Sequence, residues 1–196
     1  AVSPTVWVKN GTYRIDSDLT FSSLDDLEFR QLQAIRAIDG SDSTILKPAW
    51  KTYTTEDGVN YSSEGFTAGT KGYLELHGFT IDSLNLDYAN GAMLVYNSLV
   101  KNVRSGSAGG GFNVKYLGST LVNTELGTNN GTHIHSSIIL KPGKVGKNIR
   151  MAKTLYDTTL SVLNGYAFNI NKSWTDSKAW AQDNVAFTLG GKNDPQ

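Results

Sequence analysis

From Gly91 onward the chain repeats itself loosely, with a period of about twenty residues. One unit runs from Gly91 to Gly110, a second from Gly111 to Asn130, and a third opens at Gly131 and carries Ile134, Ile138, Ile139 and Leu140. Each unit holds two short apolar runs that alternate with polar residues, separated by polar or glycine-rich corners. A strand turns alternate side chains to opposite faces. A unit this short cannot bury its inner face alone, but stacked on its neighbours it builds a continuous core. The repeat predicts an all-β, stacked solenoid, and it constrains architecture far more than chemistry.

Composition fits one such domain across residues 1–196, whole or part of a longer one. Apolar residues make up 39% and charged residues 18%, enough for a core and too little charge for disorder. The formal net charge is zero and no run of Lys and Arg offers a phosphate backbone a partner, so nucleic acid is not expected. The absence of cysteine removes disulfides, thiol catalysis and cysteine-based zinc sites. No apolar stretch approaches the roughly 20 residues of a membrane-spanning helix. Opening on Ala1, the chain reads as a processed product.

Along the chain, residues 5–15 read as strand, Asn-Gly turn, strand. In 23–38, Leu24, Leu27, Leu32, Ile35 and Ile38 recur at helical spacing behind a Ser23–Asp26 capping box, while Leu27-Glu-Phe-Arg also alternates; the stretch is expected to form a short capping helix or an irregular coil over one end of the β-structure. Residues 49–70 are polar and aromatic and are expected to form a long loop, the kind of excursion that often carries function. Tyr73–Ser83 reads as two alternating strands around Gly78, and short strands return at 165–171 and 184–189. Trp174 and Trp180 are expected to pack under a loop or cap an end of the stack.

The N-terminal third carries a resemblance. Val6-Trp-Val-Lys-Asn-Gly-Thr-Tyr-Arg-Ile-Asp-Ser-Asp-Leu-Thr-Phe21, followed by Ile38-Asp-Gly-Ser-Asp-Ser-Thr-Ile-Leu-Lys-Pro48, resembles the opening coils of right-handed parallel β-helix proteins, the pectate-lyase-like superfamily that includes bacteriophage tailspikes. The likeness covers residues 5–48 best and extends to about residue 140 in pattern only. It implies a right-handed parallel β-helix and, most like the tailspikes and tail appendages, a homotrimer outside the cell or on a virion tail that binds a cell-surface polysaccharide. The superfamily's lyase and polygalacturonase signatures are missing, so no catalytic residue is carried over.

Candidate chemistry comes from the residues themselves. Glycan hydrolysis needs two carboxylates, roughly 5 Å apart for retention and roughly 6.5–9.5 Å for inversion. Glu75, Asp82 and Asp87 are the candidates, with Glu125 on a later coil; Glu75 and Asp82 are taken as the acid and base. The plainer reading makes them solvated charges on strand faces. His133 and His135 flank Ile134 and would share one face of a strand, as a substrate contact or an outward ladder. No third ligand is visible, so no metal and no cofactor is predicted. Trp50, Tyr53 and Tyr61 share the long loop and suit stacking on the apolar face of a sugar, with Asp87 as a polar contact.

Three functions fit these features. A phage tailspike or related appendage would bind a host polysaccharide and, with an acid–base pair, depolymerise it. A secreted monomeric polysaccharide lyase or hydrolase would need the signatures that are missing. A non-catalytic structural or adhesin segment would suit the short length. A β-sandwich carbohydrate-binding module would explain the strands and aromatics but not the period.

Overall fold

The computed structural model describes residues 5–21, 32–50, 52–54, 58, 60–69, 72–88, 91–106, 114–126, 132–141, 143, 149–157 and 185–187. Every regular element among them is a β-strand, and no helix among the described residues is long and apolar enough to cross a membrane. The first sheet has the order β1 (Thr5–Val8), β4 (Leu32–Ala37), β9 (Tyr73–His77), β12 (Ala92–Tyr96), β15 (Val114–Leu117), β17 (Thr132–His135), β19 (Ile149–Ala152). The second runs β2 (Gly11–Ile15), β5 (Thr44–Pro48), β10 (Thr80–Asp82), β13 (Leu99–Lys101), β16 (Thr120–Val122), β18 (Ile138–Leu140), β20 (Leu155–Asp157), β21 (Val185–Phe187). A third, shorter sheet runs β14 (Arg104–Gly106), β11 (Asn85–Tyr88), β8 (Gly65–Ala68), β3 (Leu19–Phe21). All pairs in these sheets are parallel; the exception in the described structure is the antiparallel pair β6 (Tyr53–Thr54) and β7 (Asn60–Tyr61). Each passage of the chain lays one strand in the first sheet and one in the second, and the early passages add one in the third.

Register turns the sequence alternation into rows of like residues. Ile35, Leu76, Val95, Tyr116, Ile134 and Met151 stand side by side on the inner face of the first sheet. Leu46, Ile81, Val100, Leu121, Ile139 and Tyr156 do the same on the second. With Phe66 and Leu86 of the third sheet they form one buried cluster. Full burial of each aliphatic side chain contributes about 1.5–3 kcal/mol, so the rows hold the sheets together.

The corners explain the spacing of the repeat. From β9 to β20 the chain turns from the first sheet to the second in two residues, and the first of them has positive φ: Gly78, Asn97, Gly118, Ser136 and Lys153. Ser83, Asn102 and Asn123 hold the same place after the second sheet. Gly and Asn tolerate this left-handed region best, which accounts for their recurrence. The next residue turns inward as a hydroxyl ladder. The N–H of Phe79 donates to Ser98 Oγ at 3.1 Å, that of Ser98 to Ser119 Oγ at 3.2 Å, and that of Ser119 to Ser137 Oγ at 3.2 Å. Each hydroxyl in turn donates to a carbonyl two residues back: Ser98 to Tyr96, Ser119 to Leu117, Ser137 to His135. The buried backbone N–H groups of the corners are thereby satisfied from the next passage.

Two expectations change. The helix over 23–38 does not extend through its last residues: Leu32–Ala37 is strand β4, held between β1 and β9 by parallel pairing on both sides. Ile35 fits either period, and two strand partners outweigh a local helical preference; residues 23–31 lie outside the described part. The stretch 49–70 is not one loop, because it holds β6, β7 and β8, with Phe66 and Ala68 in the core. The strand, turn, strand order of residues 5–15 holds, with β1 and β2 entering different sheets. The stretch 165–171 with Trp174 and Trp180 lies outside the described residues, whereas β21 falls within the expected strand at 184–189.

Candidate functional site

Because one face of the first sheet is core, the alternate residues form two outward rows. Trp7, Arg36, His77, Tyr96, Leu117, His135 and Ala152 make one row, in register across all seven strands. Ala34, Glu75, Leu94, Lys115, His133 and Arg150 occupy the row beside it. Trp7 is 62% exposed at one end of its row.

Near the middle of these rows four side chains form a network. His77 Nε2 lies 2.8 Å from Glu75 Oε2, and Arg36 Nη2 donates to the same oxygen at 3.5 Å. Arg36 Nη1 lies 3.3 Å from His77 Nδ1. A tautomer with its proton on Nε2 satisfies both contacts, Nδ1 accepting from Arg36 and Nε2–H donating to Glu75. The His77 ring stacks on Tyr96, with centroids 4.3 Å apart and planes 12° apart. Burial first, and then the Glu75 charge, push the Tyr96 hydroxyl above its usual pKa against the opposing pull of Arg36. Glu75 is held by two cation-forming partners and is only 14% exposed.

Farther along lies a cleft of about 240 Å³ whose described lining is Lys115, Tyr116, Leu117, His133 and His135. His133 and His135 share one face of β17, as their spacing predicts, and Ser136 Oγ lies 2.8 Å from His135 Nδ1. Tyr116 forms part of the core beneath.

Asp82 is placed apart from Glu75. It ends β10 in the second sheet, across the Gly78 corner, and pairs with Lys101 Nζ at 3.1 Å. It also accepts from Ser83 Oγ at 2.9 Å and Asn102 Nδ2 at 3.1 Å. Each of the two predicted carboxylates is therefore engaged by cations of its own sheet. Among the described residues no group of three or more His, Cys, Asp or Glu gathers as for a metal ion.

The remaining predicted contacts gather elsewhere. Tyr53 and Tyr61 meet edge to face with centroids 4.9 Å apart, and the Arg104 guanidinium stands 5.9 Å over the Tyr61 ring. Burial weakens the Arg104 charge, but Asp87, Glu125 and a hydrogen bond with Tyr53 outweigh it and hold its pKa above the usual arginine value. Asp87 also accepts from Asn85 Nδ2. Trp50 is not in this group: its indole N–H donates to the Asp16 carbonyl at 3.0 Å, and the side chain is 63% exposed.

Sequence reasoning passed over Trp7, Arg36, His77, Tyr96 and Lys115. The signal was strand parity: each lies an even number of places from an outward neighbour on its own strand, but only the register shows that strands far apart in sequence form one row. Comparison with protein-family models, with curated proteins and with solved structures gives no match.

Proposed function

We propose that the chain is a segment of a right-handed parallel β-helix, of the virion tailspike or appendage kind, that binds an extended cell-surface polysaccharide along the outward face of its first sheet. The observation that carries this is the row from the exposed indole of Trp7 through Arg36, His77, Tyr96 and Leu117 to His135 at the cleft. Five strand steps of about 4.8 Å span about 24 Å, room for several sugars in an extended chain. An indole face offers a sugar an apolar platform, and guanidinium, imidazole and phenol groups offer hydroxyl partners. The passages of the chain through three parallel sheets, with stacked corners, support the β-helix reading.

Binding, not cleavage, is the activity this arrangement favours. Glu75 and Asp82 sit on different sheets with their own cations, which suits charges that hold strand faces together. The test is calorimetry with O-chain and capsular fragments of increasing length. Affinity is expected to rise with length until a fragment spans Trp7 to His135. Trp7→Ala is expected to weaken the longest fragment about tenfold while leaving the folding temperature within a few degrees, since the residue is exposed. A Glu75→Gln/Asp82→Asn variant is expected to keep binding. Equal affinity in Trp7→Ala, or depolymerisation abolished by the double carboxylate variant, would remove the binding-only reading.

Self-association belongs to the same proposal. Ile138 (37% exposed) and Leu155 (42% exposed) are register neighbours on the outward face of the second sheet, beside the row of Val122 and Leu140. Such a face is costly to leave in water, and a homotrimer would cover it. Light scattering on a sizing column is expected to give three times the 21.3 kDa chain mass. A monomer at every concentration would exclude this assembly for the isolated chain.

A further inference from the structure

We propose that the cleft over β15 and β17 is an anion-selective subsite, taking the carboxylate- or sulfate-bearing sugar of the bound polysaccharide; this rests on the polysaccharide reading above. The described lining brings together one ammonium and two imidazoles, Lys115, His133 and His135, with no carboxylate among them. That is a local segregation of charge, since the whole chain balances 18 Lys and Arg against 18 Asp and Glu. Two other outward cations are committed, Arg36 to Glu75 and Lys101 to Asp82. Lys115 makes no ion pair with a described residue and lines the cleft instead.

Position supports the same ligand. Lys115 and His133 are register neighbours, as are Leu117 and His135. A sugar seated on the Leu117 side chain would have its charged substituent within the Lys115–His133–His135 triangle. The cleft, about 240 Å³, is at the small end for a ligand site and fits one sugar unit of a longer chain. Lys115 and Leu117 from β15 and Ser136 on their own passage lie beside the imidazoles, and β19 places Arg150 and Ala152 at the register positions next to His133 and His135. Glu75 lies two strands from Lys115 in the same row and is tied to Arg36 and His77.

The experiment compares a hexuronate oligosaccharide, its carboxyl-reduced neutral counterpart, the hexuronate monosaccharide and inorganic sulfate. Binding is followed by calorimetry and by the imidazole resonances in NMR. The hexuronate oligosaccharide is expected to bind about tenfold more tightly than its reduced counterpart. Lys115→Met is expected to abolish most of the preference and leave the neutral oligomer's affinity unchanged. His133→Gln/His135→Gln is expected to weaken the preference as well. Equal binding of the two oligomers, or a preference that survives Lys115→Met, overturns the inference while leaving the polysaccharide reading intact. If no oligosaccharide binds, yet the monosaccharide shifts the imidazole resonances in a Lys115-dependent way, the anion site stands and the polysaccharide reading falls. Sulfate binding as tightly as the hexuronate oligomer would assign the cleft to a free anion and overturn the sugar assignment.

Discussion

Gly65→Ala is expected to destabilise the chain by about 3 kcal/mol or more, the upper end of what overpacking costs. A Cβ at residue 65 would lie 1.9 Å from the backbone oxygen of Asn85 and 2.7 Å from its nitrogen. These are not side-chain ends that can swing away. Gly65 and Asn85 are register partners in the parallel pair β8–β11, and the Asn85 N–H donates to the Glu64 carbonyl at 2.9 Å. Relief would require the two strands to part, which would expose Phe66 and Leu86, both buried in the core. Gly40→Ala is the control. Gly40 has φ of +84° but nothing within 4 Å of a built Cβ, so it should lose only the left-handed penalty of about 1–2 kcal/mol. Urea unfolding followed by far-ultraviolet circular dichroism measures both. Equal losses at the two glycines would mean that β8 and β11 do not approach each other this closely.

The contrast between those glycines shows what a sequence of this kind reveals and what it hides. The corner positions were legible, because Gly78, Asn97, Asn102, Gly118 and Asn123 recur where the alternating runs stop, and those residues tolerate positive φ. The inner rows were legible for the same reason: Leu74 and Leu76, or Val114 and Tyr116, alternate with polar neighbours and turn inward. Gly65 was not, since it precedes Phe-Thr-Ala in a stretch whose aromatic and polar composition resembles a loop. Its strand exists because β11 and β3 pair with it on both sides. Residues 32–37 misled in the opposite sense, since Leu32 and Ile35 satisfy a helical spacing that parallel partners then override.

The candidate site was legible only in its local part. His133 and His135 flank a buried Ile134, so their common face follows from period two alone. Nothing local places Trp7, Arg36, His77 and Tyr96 in one row, because they are brought together by pairing across long sequence separations. The same holds for Asp87 and Arg104, which act on one another from different passages of the chain. Glu75 and Asp82 show the converse: closeness in sequence placed them on one hairpin-like segment, but the Gly78 corner sends them to different sheets.

Tyr116→Ala carries the other large effect, because Tyr116 is the largest of the fully buried side chains among the described residues. It stands in the inner row between Val95 and Ile134, so its loss opens a cavity in the middle of a stack. Truncating a buried aromatic typically costs about 3–5 kcal/mol, of the same order as the whole stability of many domains. Parallel strands restrict collapse into such a cavity, since β12 and β17 are fixed by their ladders on either side. Tyr116→Phe keeps the ring and removes only the hydroxyl, so its stability is expected to stay within about 1 kcal/mol of the parent's. The pair of variants separates the packing of the ring from the contribution of the hydroxyl. Because the Tyr116 ring packs in the core beneath the cleft, the Phe variant is expected to retain the anion preference, which depends on the outward side chains of Lys115, His133 and His135. Chemical unfolding gives the two free energies. An Ala variant within about 1 kcal/mol of the parent would show that the inner rows do not form one continuous core, and with that the stacked architecture would lose its main support.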